Sequence, residues 1–294
     1  MINFTENYNK IKSIASSELA NIEAKMIADI DIREPLKSYI VKFLTSPSKR
    51  IRPVLAILYT KALGDSLTDE QLELLSAVEL VHNASLIHDD IIDESTLRRG
   101  EKTISSEFDN KLGVISGDYL LAIAMEKIGK LNSIDILNNF SRTLRKMCIG
   151  EINQNFDRYK IGTIEDYIEK SKNKTGYLFE TAVVSCLLLS PAAKNLKQAE
   201  EFALNIGIAF QIRDDLLNLS RNDPSKPANN DITEGIYNAP VIYSGDAEDY
   251  TSGIEKTKAL LDNYLKEAAN HLADLPNNEY TTELREFLEL LKNV

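Results

Sequence analysis

Thr68 to Gly100 reads TDEQLELLSAVELVHNASLIHDDIIDESTLRRG, and this stretch decides the fold class. Thr68 followed three residues later by Gln71 is a capping-box pattern, which opens helices. Behind it, Leu72, Leu75, Val78, Ala84, Leu86 and Ile87 return at helical spacing and lead into Asp89, Asp90 and Asp93. On that helix Asp89 and Asp93 lie one turn apart on one face, with His82 and Ser85 along the same stripe. Their mutual repulsion calls for a cation between them or for free solvation.

The rest of the chain has the same texture. Thr163 with Asp166 marks a second helix start, followed by YIEKSKNKTGYLFETAVVSCLLLS and stopped by Pro191. Lys174 and Thr175 fall mid-helix or at a break, because Gly176 follows at once. No run of alternating apolar and polar residues bounded by hairpin turns stands out, so the class is all-α. No linker, low-complexity tract or tandem repeat divides the chain, and residues 1–294 are expected to form one domain. The clearest irregular stretch, Ser220 to Pro240, is a candidate lid.

Composition limits the function classes. With 43% hydrophobic and 27% charged residues, a 294-residue chain can build a large core. A net charge of −11 repels nucleic acid and anionic lipid, so a phosphate-bearing ligand needs metal ions or a local basic pocket. No apolar run reaches membrane-spanning length and no export signal opens the chain, so a cytoplasmic location is expected. Cys148 and Cys186 lack metal-ligand spacing and are expected in the core.

A second acidic cluster repeats the first. GIAFQIRDDLLN, residues 207–218, supplies Asp214 and Asp215, with Gln211, Asp214 and Asn218 on one stripe. Unpaired charge inside an apolar helix is costly, and two such clusters are hard to ascribe to chance. Facing each other across a bundle, they would suit magnesium, which takes few carboxylates alongside phosphate and water. Lys49, Arg50, Arg52, Arg98, Arg99, Lys174 and Lys226 are the cations that could complete a diphosphate site.

At this point the chain resembles the trans-isoprenyl diphosphate synthase family, most closely its medium- and long-chain members. SKRIRP, HNASLIHDDIIDESTLRRG, GDYLL, GEINQ, KTGYLF and GIAFQIRDDLLN match the family's motifs in order, from about Ser46 to Pro240. The resemblance implies a bundle of antiparallel helices around a central substrate cavity, and a homodimer. It implies an allylic diphosphate and isopentenyl diphosphate as substrates, and three magnesium ions. Asp89, Asp93 and Asp214 would hold the metals, with Asp90 and Asp215 supporting them. Arg98, Lys174 and Lys226 would bind the allylic diphosphate, and Lys49, Arg52, His82 and Arg99 isopentenyl diphosphate. Thr175 and Gln211 would line the reacting carbons. The chain departs from the pattern at Ser48, Asn218, Ile236 and Asn238, the last two standing for a frequent lysine and threonine.

Ala84 and Ser85, small residues about a turn deeper than Asp89, leave room for a growing tail, whereas aromatic residues there would block it. Met125 is a candidate floor. The expected product is longer than geranylgeranyl diphosphate, with geranylgeranyl as the alternative. A class I terpene cyclase is disfavoured because its N-x-x-x-S-x-x-x-E metal motif is absent after Phe210. A non-catalytic partner subunit would typically have lost aspartates that this chain keeps.

Overall fold

The computed structural model of the chain describes residues 4–191, 195–220, 230–245 and 249–294. Lys226 and the rest of 221–229, part of the expected lid, lie outside these residues. The helices are α1 (Phe4–Ser13), α2 (Ser16–Ala28), α3 (Leu36–Thr45), α4 (Ile51–Ala62) and α5 (Asp69–Ile92). A two-strand hairpin, β1 (Leu97–Arg98) and β2 (Glu101–Lys102), precedes α6 (Ile104–Glu107), α7 (Asn110–Lys130), α8 (Ile134–Phe156) and α9 (Ile164–Ser171). A π-helical turn, Lys172–Gly176, joins α9 to α10 (Tyr177–Leu188). Then come α11 (Leu196–Ser220), α12 (Asn230–Thr233), α13 (Ala239–Ser244), α14 (Thr251–Asn270) and α15 (Glu279–Leu291).

Both expected helix starts are capped as read. Thr68 accepts from the Gln71 N–H while the Gln71 side chain takes the Thr68 N–H, and Thr163 and Asp166 do the same. Pro191 follows the end of α10 at Leu188. The hairpin is the one β element among the described residues. Its two-residue turn needs positive φ at both positions, and Arg99 (φ 55) and Gly100 (φ 80) supply it.

The core is built around α4, α5 and α10. From Val54 to Thr60 every residue of α4 is buried, as is every residue of α10 from Leu178 to Val183. Helices apolar all round belong at the centre of a large bundle, and their neighbours shield them. Helices α5 and α7 run antiparallel in close contact: an added Cβ on Gly113 would meet Ile91 Cδ1 at 2.7 Å, and one on Gly117 would strike the His88 ring. At the far end of this pair Lys127, 2% exposed, bonds Asp29 at 2.6 Å and Glu73 at 2.7 Å, tying α2, α5 and α7 together. Cys186 lies in the core as expected. Cys148 does not: it is exposed on α8, because cysteine's usual preference for burial does not decide which face of a helix a given cysteine takes.

Candidate active site

Asp89 and Asp93 end the apolar run of α5. The Asp93 N–H bonds the Asp89 carbonyl at 2.8 Å, so the two carboxylates stand one turn apart at the end of the helix. Burial pushes Asp89 up to about 6; nearby Glu151 and Asp93 raise it further while Lys174 opposes them. Asp93 is raised by the same causes, burial first and then Glu151. Asp90 turns aside: it is 4% exposed and accepts from Arg98 Nε at 2.6 Å. It therefore anchors Arg98 at the start of the hairpin.

The π turn connects the two acidic helices. Lys174 Nζ pairs with Glu151 Oε2 at 2.5 Å and faces Asp89, while the next residue, Thr175, donates to Gln211 Oε1 at 2.8 Å on α11. A π turn adds one residue to the helical ladder and re-aims side chains. Two glycines make room for it. A Cβ on Gly150 would come within 2.8 Å of Lys174 Cγ, and one on Gly207 within 2.6 Å of Gly176 Cα. Both glycines lie in motifs that the sequence showed, GEINQ and GIAFQIRDDLLN, but the close backbone approach that requires them is a tertiary property.

On α11, Asp214 and Asn218 are exposed and Asp215 is buried. Asp215 accepts from the Tyr167 hydroxyl at 2.6 Å and from Gln211 Nε2 at 3.0 Å. Burial lifts it to about 7. Asp215, expected to support the metal carboxylates, faces inward beside exposed Asp214, because adjacent residues on a helix project about 100° apart. Tyr167 and Glu151 escaped the reading altogether. The only sign of either was Tyr167 at helical spacing before Lys174 and Glu151 within GEINQ.

A basic wall stands beside these acids. His82 is held neutral, well below its usual range, by burial and then by Arg52, Arg99, Arg50 and Arg98. Arg50 is committed to structure: it is 8% exposed and pairs with Glu79 at 2.8 Å and with Glu23 at 3.5 Å. Arg52 is different. Its guanidinium lies 4.8 Å over the Phe179 ring, and no described carboxylate comes within ion-pair distance. Burial lowers it to about 10. Lys49 Nζ sits 5.1 Å from the Phe4 ring centre and 5.8 Å from that of Phe210, and Arg99 is 5.7 Å from Phe43. Arg52 is half-buried and Lys49 and Arg99 are exposed, and cations resting on ring faces are suited to an anionic ligand.

No group of three or more His, Cys, Asp or Glu among the described residues is arranged to hold a metal on its own. The donor set does fit magnesium, which keeps its waters and binds one or two carboxylates together with phosphate. Crowding of Asp89, Asp93 and Glu151 points the same way, since a cation relieves their repulsion. Asp89, Asp93 and Asp214 are the residues that would hold it.

Deeper along α5, Ala84 is fully buried and Ser85 is half-buried, its hydroxyl donating to the His82 carbonyl at 2.8 Å. Met125 is half-buried on α7. On the other flank, Ile236 and Lys170 line one cleft of about 370 Å³, in which Lys170 Nζ is 3.5 Å from Asn238 Oδ1. Two of the departures from the family pattern, Ile236 and Asn238, thus lie beside a lysine contributed by another helix.

The model of the polyprenyl synthetase family matches residues 33–277. The chain is 32% identical to a decaprenyl-diphosphate synthase of Dictyostelium discoideum, over 92% of its own length and 65% of that protein's. It is 30% identical to heptaprenyl diphosphate synthase component 2 of Geobacillus stearothermophilus, over 93% of this chain and 95% of that one. The crystal structure of heptaprenyl diphosphate synthase from Staphylococcus aureus superposes with a TM-score of 0.88 at 24% identity, covering 95% of this chain and 98% of that one. With its motifs, its fold and most of its length matched, the chain belongs to the polyprenyl synthetase family.

Proposed function

We propose that the chain is a trans-prenyltransferase that condenses isopentenyl diphosphate with an allylic diphosphate to give an all-trans polyprenyl diphosphate longer than geranylgeranyl. One observation carries the reading. The π turn places Lys174 against the Asp89 cluster and Thr175 against Gln211, a turn from Asp214, so that both acidic helices address one site. Names carried by the relatives, decaprenyl and heptaprenyl synthases, support a long product. Small side chains at Ala84 and Ser85 support it too.

In this reading Asp89, Asp93 and Asp214 would hold magnesium, which when bound would offset the negative charge that develops on the departing diphosphate. Lys174 and Arg98 bind the same diphosphate, and Lys226 is assigned there by resemblance. Lys49, Arg52 and Arg99 grip isopentenyl diphosphate together with neutral His82 of α5. As the allylic C–O bond breaks, the oxygens of Thr175 and Gln211 face the electron-poor carbons. The alkene of isopentenyl diphosphate supplies the electron pair for the new C–C bond, and the proton then lost from that unit passes to the departing diphosphate. Binding stronger at that stage than in the ground state is what accelerates the step.

We assign residues 1–294 to one domain, a cytoplasmic location and a homodimer. The apolar side chains exposed on α7 and α8, including Val114, Ile115, Ile149, Ile152 and Phe156, suit the covering of that face by a second copy. No described helix is long and apolar enough to cross a membrane. The test incubates purified protein with isopentenyl diphosphate, farnesyl diphosphate and magnesium, with and without chelator, and reads products by mass spectrometry. Chain elongation past geranylgeranyl, abolished by chelator and by Asp89→Ala, is the expected result. A product stopping at geranylgeranyl rejects the long-chain reading, and condensation untouched by chelator rejects the metal assignment.

A further inference from the structure

The second acidic cluster contains a carboxylate that the proposed reaction does not use. Asp215 is 3% exposed and receives two hydrogen bonds, from the Tyr167 hydroxyl on Oδ2 at 2.6 Å and from Gln211 Nε2 on Oδ1 at 3.0 Å. The other end of the Gln211 amide accepts the Thr175 hydroxyl at 2.8 Å. Four side chains from α9, the π turn and α11 thus form one continuous chain of donors and acceptors.

The geometry of the chain sets its direction. The Gln211 amide turns its NH2 group to Asp215 and its carbonyl to Thr175. That carbonyl then takes the one proton of the Thr175 hydroxyl. Both remaining oxygen dipoles, of Thr175 and Gln211, are left to face the substrate. Tyr167 supplies the second donor. It is 2% exposed and buried against the cluster, and without it one oxygen of Asp215 would lose its partner in a place that water barely reaches.

We propose that Tyr167 is a positioning residue for the condensation: through Asp215 it fixes the Gln211 amide with its carbonyl toward Thr175 and the allylic carbons. The inference rests on the reaction proposed above. A tyrosine that only tied α9 to α11 would lower stability by the same amount in any background and would leave the amide where it is.

Two measurements separate these roles. The first is a double-mutant cycle on kcat and on both KM values, using Tyr167→Phe, Gln211→Met and the pair, with Asp215→Asn as a second way of releasing the amide. The expected result is that Tyr167→Phe lowers kcat about tenfold or more, the scale of one hydrogen bond to a charged group, with both KM values held within about threefold. In the Gln211→Met background the same change should cost almost nothing. A wild-type kcat in Tyr167→Phe, or an equal loss in both backgrounds, would overturn the proposal.

The second measurement needs no turnover. Deuterated protein carrying labelled glutamine amides shows Gln71, Gln154, Gln198 and Gln211, and Gln211→Glu identifies the signal of interest. Tyr167→Phe and Asp215→Asn should shift the Gln211 pair and hasten its exchange with water, leaving the other three in place. An unmoved Gln211 pair would overturn the positioning role. If the wild type condensed nothing yet its Gln211 amide depended on Tyr167, the reaction would be rejected and the fixed orientation would stand.

Discussion

Desolvating a guanidinium is expensive unless something anionic completes it, and Arg52, half-buried, has no described carboxylate within ion-pair distance. Its neighbour two positions back, Arg50, shows the opposite use of the same side chain, locked to Glu79 and Glu23. Arg52→Met should raise KM for isopentenyl diphosphate about 10- to 100-fold while leaving the allylic KM within about threefold. Steady-state kinetics with each substrate varied in turn checks this, and a matched rise in both constants would contradict the division of the two sites. Ser85 tests the tail. Ser85→Phe should shorten the product without abolishing the first condensation, because the ring fills space below Asp89 and touches no metal carboxylate. Identical product distributions by mass spectrometry would place the tail elsewhere.

Among elements, the π turn is the piece that makes one site of two helices, and glycine contacts permit it. At Gly207 an added methyl would press within 2.6 Å of the Gly176 Cα, a backbone atom that cannot swing aside. Gly207→Ala should therefore cost about 1–3 kcal/mol of stability through overpacking and also lower kcat, since α11 must shift away from Thr175. Gly129 provides the contrast. Nothing lies within 4 Å of a Cβ there, so Gly129→Ala should be neutral or stabilise by up to about 1 kcal/mol with unchanged turnover. Thermal melts followed by circular dichroism, paired with kcat, distinguish the two. If Gly207→Ala behaved like Gly129→Ala, the close helix approach would not matter to the reaction.

For the molecule as a whole, the polar seam between α8 and α10 couples folding to pH. Glu180 is 1% exposed and burial pushes it up to about 7, although Arg142 faces it at 2.8 Å. A carboxyl raised above its unfolded value keeps its proton longer in the native state. Stability from this group is therefore highest at acidic pH and declines as pH rises from the unfolded carboxyl range through about 7. Glu180→Gln removes that slope, so its melting temperature should fall less than the wild type's between about pH 5 and about pH 8. Equal falls in the two proteins would mean that Arg142 compensates the charge fully.

The local rules were legible in the chain itself. Capping boxes at Thr68 and Thr163 and apolar residues at helical spacing state the helices directly, because capping and amphipathicity act within a few residues. Spacing likewise placed Asp89 and Asp93 on one face and left Lys174 and Thr175 mid-helix or at a break beside Gly176. What only the tertiary structure decided is which carboxylate does what. Asp89 and Asp90 are neighbours in sequence, as are Asp214 and Asp215, yet in each pair the second is buried on a partner, Arg98 or Tyr167, and the first is more exposed. No local pattern separates them, since those partners come from other elements. The roles of Arg50 and Arg52 part for the same reason, and so does the fate of Cys148. Sequence determined the helices and the inventory of charges; packing determined which charges were left for a ligand, because burial and partnership are properties of the surroundings.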